Sequence, residues 1–313
     1  MTDTRAELGF VFPGQGSQAV GMLDALAAEA AEVRPTIEEA SDALGYDLWR
    51  VIAEDPDETL GNTEVTQPAI LAASAAIWRV WCARTDVRPG WLAGHSLGEY
   101  TALACAGALS LADAVTLVRD RGRFMQAAVP AGEGGMAAIL GLTDEEIESC
   151  CAGVEGVVAP ANYNSPGQVV IAGTAAAVDA AIAACKAAGA KRAVPVAMSV
   201  PSHSALLEGA AAQLGERLAS IELAMPDVPV MHNVDAQTAA DLDELRGKLV
   251  KQLYNPVRWT DCVLGLKAAG VVRVAECGPG KVLSGLLRRI DKSLVGTSLG
   301  SVAAIDELAG ELA

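Results

Sequence analysis

Positive charge is in short supply. The 313-residue chain carries 23 Lys and Arg against 39 Asp and Glu, for a net charge of −16. It has no broad positive field to offer a nucleic acid or an anionic membrane surface, so both are excluded as partners. The acidic residues are spread along the chain and read as a solvated surface. Aromatics make up only 4%, and glycine and alanine abound, which favours close helix–sheet packing over a loop-rich β sandwich. The seven cysteines form no C-x-x-C pair, and adjacent Cys150 and Cys151 are poorly placed to bridge each other. Reduced, mostly buried thiols in a cytoplasmic protein are expected, with no metal site. No basic segment followed by a long apolar one opens the chain, so no secretory signal is expected. The longest uncharged stretch, 156–178, is broken by Pro160, Asn162, Asn164, Pro166 and several glycines and will not span a bilayer.

What remains is 51% hydrophobic and 20% charged, enough for one large domain or a domain with an insertion. The first half alternates strands and helices. "LGFVF" is a short buried strand, "TQPAILAASAAIWRVWCAR" (66–84) a long apolar helix with Pro68 near its first turn, and "GWLAGHS" (90–96) a strand running into the helix "LGEYTALACAG". A helix capped at Ser110 follows. This alternation predicts an α/β fold with a parallel sheet covered on both faces. Residues 130–197 read differently, as β-α-β-β-α-β, the ferredoxin-like plan. They are expected to be a small subdomain inserted into a larger one made of 1–129 and 198–313.

"AGHSLGEY" contains G-x-S-x-G at Gly94, Ser96 and Gly98. The pattern alone is weak, but an apolar strand precedes it and a helical pattern follows. That is the setting of a nucleophile at a strained strand-to-helix turn, with the helix N-terminus facing any oxyanion formed beside it. The N–H of Leu97, just after the nucleophile, is one oxyanion donor. For a base there are three histidines. His95 adjoins the nucleophile and leaves the turn in another direction. His232, in "PVMHNV", reads as a surface or loop histidine. His203, at a loop-to-helix junction in "VPSHSALL", is favoured by elimination. No triad acid stands out: Asp144, Glu145, Glu146 and Asp179 fall in the insertion, most on helix faces. The glycine-rich "FVFPGQGSQAVGM" fails as a dinucleotide loop because Ala19 occupies the third glycine position, and it lacks the Lys-Ser/Thr pair of a P-loop.

"FVFPGQGSQ", "GHSLGEY", "RGRFMQ", "NYNSPGQVVIAG", "PSHSALL", "QLYNPVRW" and "ECGPGKVLSGLLRRI" together resemble the malonyl-CoA:acyl carrier protein transacylases of fatty acid synthesis, in the same order, from about residue 8 to about residue 300. The resemblance implies a hydrolase-like α/β core carrying the ferredoxin-like subdomain. It implies malonyl transfer from malonyl-CoA to the phosphopantetheine thiol of acyl carrier protein, by a ping-pong mechanism through Ser96, with His203 as base. It makes the backbone carbonyl of Gln252 the orienting partner of that histidine, the backbone N–H of Gln15 the second oxyanion donor, and Arg121 the holder of the malonyl carboxylate. Of Arg119, Arg121 and Arg123 on one helix, only the match to "RGRFMQ" singles out Arg121. A guanidinium fork suits a planar carboxylate and disfavours an uncharged acetyl group.

Asn162 and Asn164 match residues near the family's cleft, or else satisfy turn backbone. His232 stands where asparagine or another small polar residue is expected. No cofactor is expected, since the coenzyme A thioester is a substrate, and a monomer is expected. Lys191 and Arg192, or Lys281, Arg288 and Arg289, are candidate docking cations for an acidic carrier protein. A serine thioesterase or other hydrolase, and a related acyltransferase of polyketide synthesis or malonate metabolism, are the alternatives. A non-catalytic carrier-binding scaffold would not need the serine, histidine and arginine together.

Overall fold

Five consecutive buried residues, Leu8 to Phe12, form the inner end of a longer strand, β1 (Asp3–Phe12). The computed structural model describes residues 2–130, 132–196 and 200–313. After β1 come three helices that the strand–helix alternation passed over: α1 (Asp24–Glu29), α2 (Val33–Leu44) and α3 (Leu48–Ala53). Then follow α4 (Thr63–Arg84), β2 (Val87–Gly94), α5 (Leu97–Cys105) and α6 (Leu111–Ala128). The middle of the chain runs β3 (Gly134–Leu140), α7 (Asp144–Ala152), β4 (Val158–Ser165), β5 (Gln168–Thr174), α8 (Ala175–Ala187) and β6 (Arg192–Pro195). A 3-10 turn (Ala205–Leu207), α9 (Glu208–Ala219), β7 (Val230–Met231), α10 (Leu242–Gln252) and α11 (Trp259–Ala268) come next. The chain closes with β8 (Arg273–Glu276), α12 (Val282–Ile290), β9 (Val295–Ser298) and α13 (Val302–Leu312).

The fold is α/β, with a parallel sheet and a separate antiparallel sheet. The chain divides into two compact units: residues 1–122, 221–232 and 264–313, and residues 123–220 and 233–263. The second contains the segment 130–197 and extends beyond it on both sides; the 197/198 boundary lies outside the described residues.

In the first unit the sheet order is β7-β2-β1-β8-β9, with every pairing parallel. All five strands therefore end at the same edge, where ligands of open α/β sheets bind. α4 is buried along most of its length, so it reads as a continuous apolar run rather than an amphipathic one. It starts at Thr63, so Pro68 lies in its second turn instead of its first. Phe10 meets Trp78 and Trp81 edge-on, at centroid distances of 5.6 and 5.1 Å, which packs β1 against α4.

In the second unit the order is β4-β5-β3-β6, all antiparallel. α7 and α8 supply Ile147, Cys151, Val178, Ala181, Ile182 and Cys185 to a core against Ile139, Val169 and Ile171 of the sheet. α7 opens on a reciprocal capping box between Thr143 and Glu146. Val257 then adds a bridge outside β4, accepting from the N–H of Tyr163 at 2.9 Å and donating to Ala161 at 2.8 Å.

Candidate active site

The register Phe12↔Gly94 brings the ends of β1 and β2 side by side. The His95 N–H donates to the Phe12 carbonyl at 3.0 Å, which fuses the glycine-rich loop to the turn carrying Ser96. A Cβ on Gly98 would lie 2.0 Å from Phe12 O, and one on Gly94 would lie 1.9 Å from Gly98 C. The turn is thus closed backbone on backbone, and only glycine fits at either position. Ser96 itself has φ 52° and ψ −108°, a conformation that costs an L-residue about 1–3 kcal/mol. That strain lifts the hydroxyl to the head of α5, whose first N–H belongs to Leu97. Gln15 sits in the loop beside this turn, with its side-chain amide donating to Thr63 Oγ1 at 3.4 Å. Its neighbour Gly16 has φ +103°, a backbone shape reserved for glycine.

Arg121 is the buried arginine of α6, at 1% exposure, whereas Arg123 is exposed and Arg119 pairs with Asp120 at 3.0 Å. Its two terminal nitrogens are divided: Nη1 donates to Gln67 Oε1 at 2.7 Å and Nη2 to Ser96 Oγ at 3.2 Å. The guanidinium carbon lies 5.2 Å from the centre of the Tyr100 ring. Burial pulls the guanidinium below its ordinary pKa, and the Tyr100 phenol and Glu99 carboxylate push back. Buried at 1% exposure, the guanidinium is a dehydrated cation one hydrogen bond from a strained serine. Gln67, fully buried in α4, went unnoticed in the sequence. Its signal was an amide, next to Thr66, at the head of an apolar helical run.

In the second unit, His203 is 3% exposed with φ +61°. Its Nδ1 lies 2.7 Å from the Gln252 carbonyl, and its N–H donates to the Leu253 carbonyl at 3.2 Å. A carbonyl only accepts, so Nδ1 carries the proton and Nε2 presents a lone pair. Gln252 ends α10, where carbonyls point out of the helix and favour positive charge on the imidazole. Ser204 Oγ braces the loop by donating to the Pro201 carbonyl at 2.7 Å. Asn162 and Asn164 both lie on β4, with Asn164 buried and Asn162 half-buried.

His232 lies in the loop directly after β7, as its place at a strand end suggested, but it is not a surface histidine. It is 1% exposed, and its Nδ1 lies 2.8 Å from Oε1 of fully buried Glu99. The expected strand "VPVMHNV" shortens to Val230–Met231, which pairs beside Leu92 and Ala93 of β2 and delivers His232 to the underside of α5. Lys191 and Arg192 are exposed on the second unit; Lys281, Arg288 and Arg289 are exposed on the first. Among the described residues no cluster of three metal-ligating side chains occurs, and no helix is long and apolar enough to cross a membrane.

Residues 9–306 match the acyl transferase domain model. The malonyl CoA-acyl carrier protein transacylase of Salmonella typhimurium is 54% identical over 301 residues, 96% of this chain and 97% of that protein. The Bacillus subtilis protein of the same name is 44% identical over 292 residues, 92% of each. An acyl carrier protein S-malonyltransferase from Vibrio cholerae superposes with a TM-score of 0.94 at 53% identity, over 96% of this chain and 99% of that one. A malonyl-transacylase solved with its type II polyketide acyl-carrier protein superposes at 0.96 with 50% identity, over 97% and 99%. The chain is an acyltransferase and belongs to the family of malonyl CoA-acyl carrier protein transacylases.

Proposed function

We propose that the enzyme moves a malonyl group from malonyl-CoA to the phosphopantetheine thiol of an acyl carrier protein, through a malonyl ester of Ser96. In the first half-reaction Ser96 Oγ attacks the thioester carbonyl and its proton passes to His203 Nε2. The N–H groups of Gln15 and Leu97 hold the oxyanion. Collapse breaks the C–S bond, and the departing coenzyme A thiolate takes the proton back from His203. In the second half-reaction His203 takes the proton of the carrier thiol, the thiolate attacks the ester, and Ser96 Oγ leaves with that proton. Arg121 holds the free carboxylate of the malonyl group throughout. Asn162 and Asn164 line the acyl path or steady the loop beside it.

One observation carries this reading: the buried Arg121 fork is 3.2 Å from Ser96 Oγ. A hydrolase acting on uncharged acyl groups has no use for a dehydrated cation there, whereas a malonyl carboxylate compensates it. The Nδ1 contact of His203 with a backbone carbonyl supports a base oriented without a triad acid.

The same reading takes the parallel sheet as a hydrolase-like core and residues 130–197 as an inserted ferredoxin-like subdomain, in keeping with their β-α-β-β-α-β order. It treats the enzyme as a cytoplasmic monomer that uses no cofactor. Incubation with malonyl-CoA should add one malonyl group by intact mass, and phosphopantetheinylated carrier protein should discharge it. No adduct in the parent, or an adduct surviving in Ser96→Ala, overturns the mechanism. Rapid loss of the adduct to water favours a thioesterase.

A further inference from the structure

Immediately after Arg121 on α6 comes Gly122, which is buried. Here the helix meets the first two residues of α4 backbone to backbone. A Cβ on Gly122 would lie 2.8 Å from both the Thr63 carbonyl oxygen and the Glu64 Cα, and 2.9 Å from the Glu64 N. All three are main-chain atoms, so no side chain can swing aside to make room. Helices that pack through side chains keep their axes about 8–10 Å apart, whereas this contact leaves no space for one.

Thr63 and Gln67 stand four apart on α4 and so share one face of it. The face that Gly122 touches is therefore the face that presents Gln67 to Arg121. Gln67 Oε1 accepts from Arg121 Nη1 at 2.7 Å, while Nη2 reaches Ser96 Oγ at 3.2 Å. Neighbouring Cα atoms are about 3.8 Å apart, so a displacement of α6 at Gly122 carries Arg121 with it. A methyl group on Gly122 would need roughly 0.5–1 Å of separation to reach ordinary contact at about 3.5–4.0 Å. A retreat of that size from α4 stretches the bond to Gln67. It also moves the fork relative to Ser96 Oγ, where 3.2 Å is already the long end for an N–H···O bond. Groups misplaced by about 1 Å lose much of their effect on a reaction.

We propose that Gly122 is a specificity-determining positioning residue: having no side chain, it lets α6 seat on the head of α4 and so aims Arg121 at the malonyl carboxylate. It acts through Arg121 without touching the substrate. An uncharged acetyl group makes no use of the fork, so the effect falls on malonyl. This inference rests on the reading of Arg121 as the carboxylate holder.

The test compares kcat and KM for malonyl-CoA and acetyl-CoA in the parent, Gly122→Ala and Gly90→Ala, with phosphopantetheinylated carrier protein as acceptor. Gly90→Ala controls for overpacking as such. A Cβ there would lie 2.7 Å from Ala6 Cα and 2.9 Å from the Arg5 carbonyl oxygen, in the first half of β2 and away from its Ser96 end. G122A should lower the malonyl-over-acetyl ratio of kcat/KM about tenfold, chiefly through KM for malonyl-CoA, with acetyl transfer within about threefold of the parent. G90A should keep the ratio within about twofold of the parent. An unchanged ratio in G122A, an equal loss for both acyl groups, or the same fall in G90A overturns the proposal. If G122A does not fold, Gln67→Met carries the same expectation, because it removes the acceptor that draws Arg121 to this face of α4. An unchanged ratio in that variant overturns the proposal too. A parent that transfers no malonyl, or whose preference survives in Arg121→Ala, sinks the underlying reading of Arg121. A preference lost in Arg121→Ala but kept in G122A sinks this inference alone.

Discussion

Arg121 shows how a single side chain can set substrate choice. Its guanidinium is split between Gln67 and Ser96, so each terminal nitrogen is already aimed before any acyl group arrives. Arg121→Ala should lower malonyl kcat/KM by about 100-fold, the size expected for losing one partner of a buried charge pair, and should shift preference toward acetyl. Comparable malonyl-over-acetyl ratios in variant and parent would count against the assignment. Arg121→Lys should recover little of the loss, since an ammonium cannot span both oxygens. The sequence showed three arginines on one helix and gave no reason of its own to choose among them. The choice came from the resemblance, and the buried position of Arg121 supplies the physical reason. Gln67 and the Glu99–His232 pair were beyond reach, because their partners lie 54 and 133 residues away in the chain.

At the scale of elements, the turn from β2 into α5 depends on what does not protrude from it. Gly98→Ala places a methyl group 2.0 Å from the Phe12 carbonyl, and that carbonyl is fixed by the β1–β2 ladder. Urea unfolding should show a loss of about 3 kcal/mol or more, the range of severe overpacking. A loss under about 1 kcal/mol would mean that β1 and α5 can separate. The start of α12 depends on a long-range cap instead. Buried Glu276, at the end of β8, accepts from the N–H groups of Leu283 at 3.0 Å and Ser284 at 2.7 Å. Glu276→Ala leaves those donors unsatisfied in a buried place and should cost about 2–3 kcal/mol; thermal melts of parent and variant would measure it. The apolar spacing of "KVLSGLLRRI" places this helix from sequence, but its N-cap Lys281 makes no side-chain cap, so the group that caps it could not be read there.

For the whole molecule, burial sets the alkaline limit. Burial pushes the Tyr100 phenol from 10.0 up to about 12, against the pull of Arg121. It also raises the thiols of Cys105 and Cys277 well above 9.0. The native state keeps these protons at a pH where the unfolded chain releases them. Their contribution is therefore complete below about pH 8 and falls as pH rises through 9 and 10 toward the native values. Urea midpoints should hold between about pH 7 and 8 and decline above about pH 9, with a shallower decline in Tyr100→Phe or Cys105→Ala. A midpoint independent of pH up to about 11 would contradict this.

What the sequence determined by itself was local and periodic. Strand–helix alternation predicted an α/β fold, and the β-α-β-β-α-β run is present in the observed element order. The glycine spacing around Ser96 marked a tight strand-to-helix turn, since backbone crowding is a property of adjacent residues. Only the tertiary structure decided which groups face each other across long stretches of chain. It divided the arginines of α6 into one buried and two exposed or half-exposed, and it extended the second unit to residues 123–220 and 233–263. It also buried His232 on Glu99, where sequence alone left a histidine at a strand end. These outcomes depend on which surfaces pack together and lose water, and that is settled by the whole fold, not by neighbours in sequence.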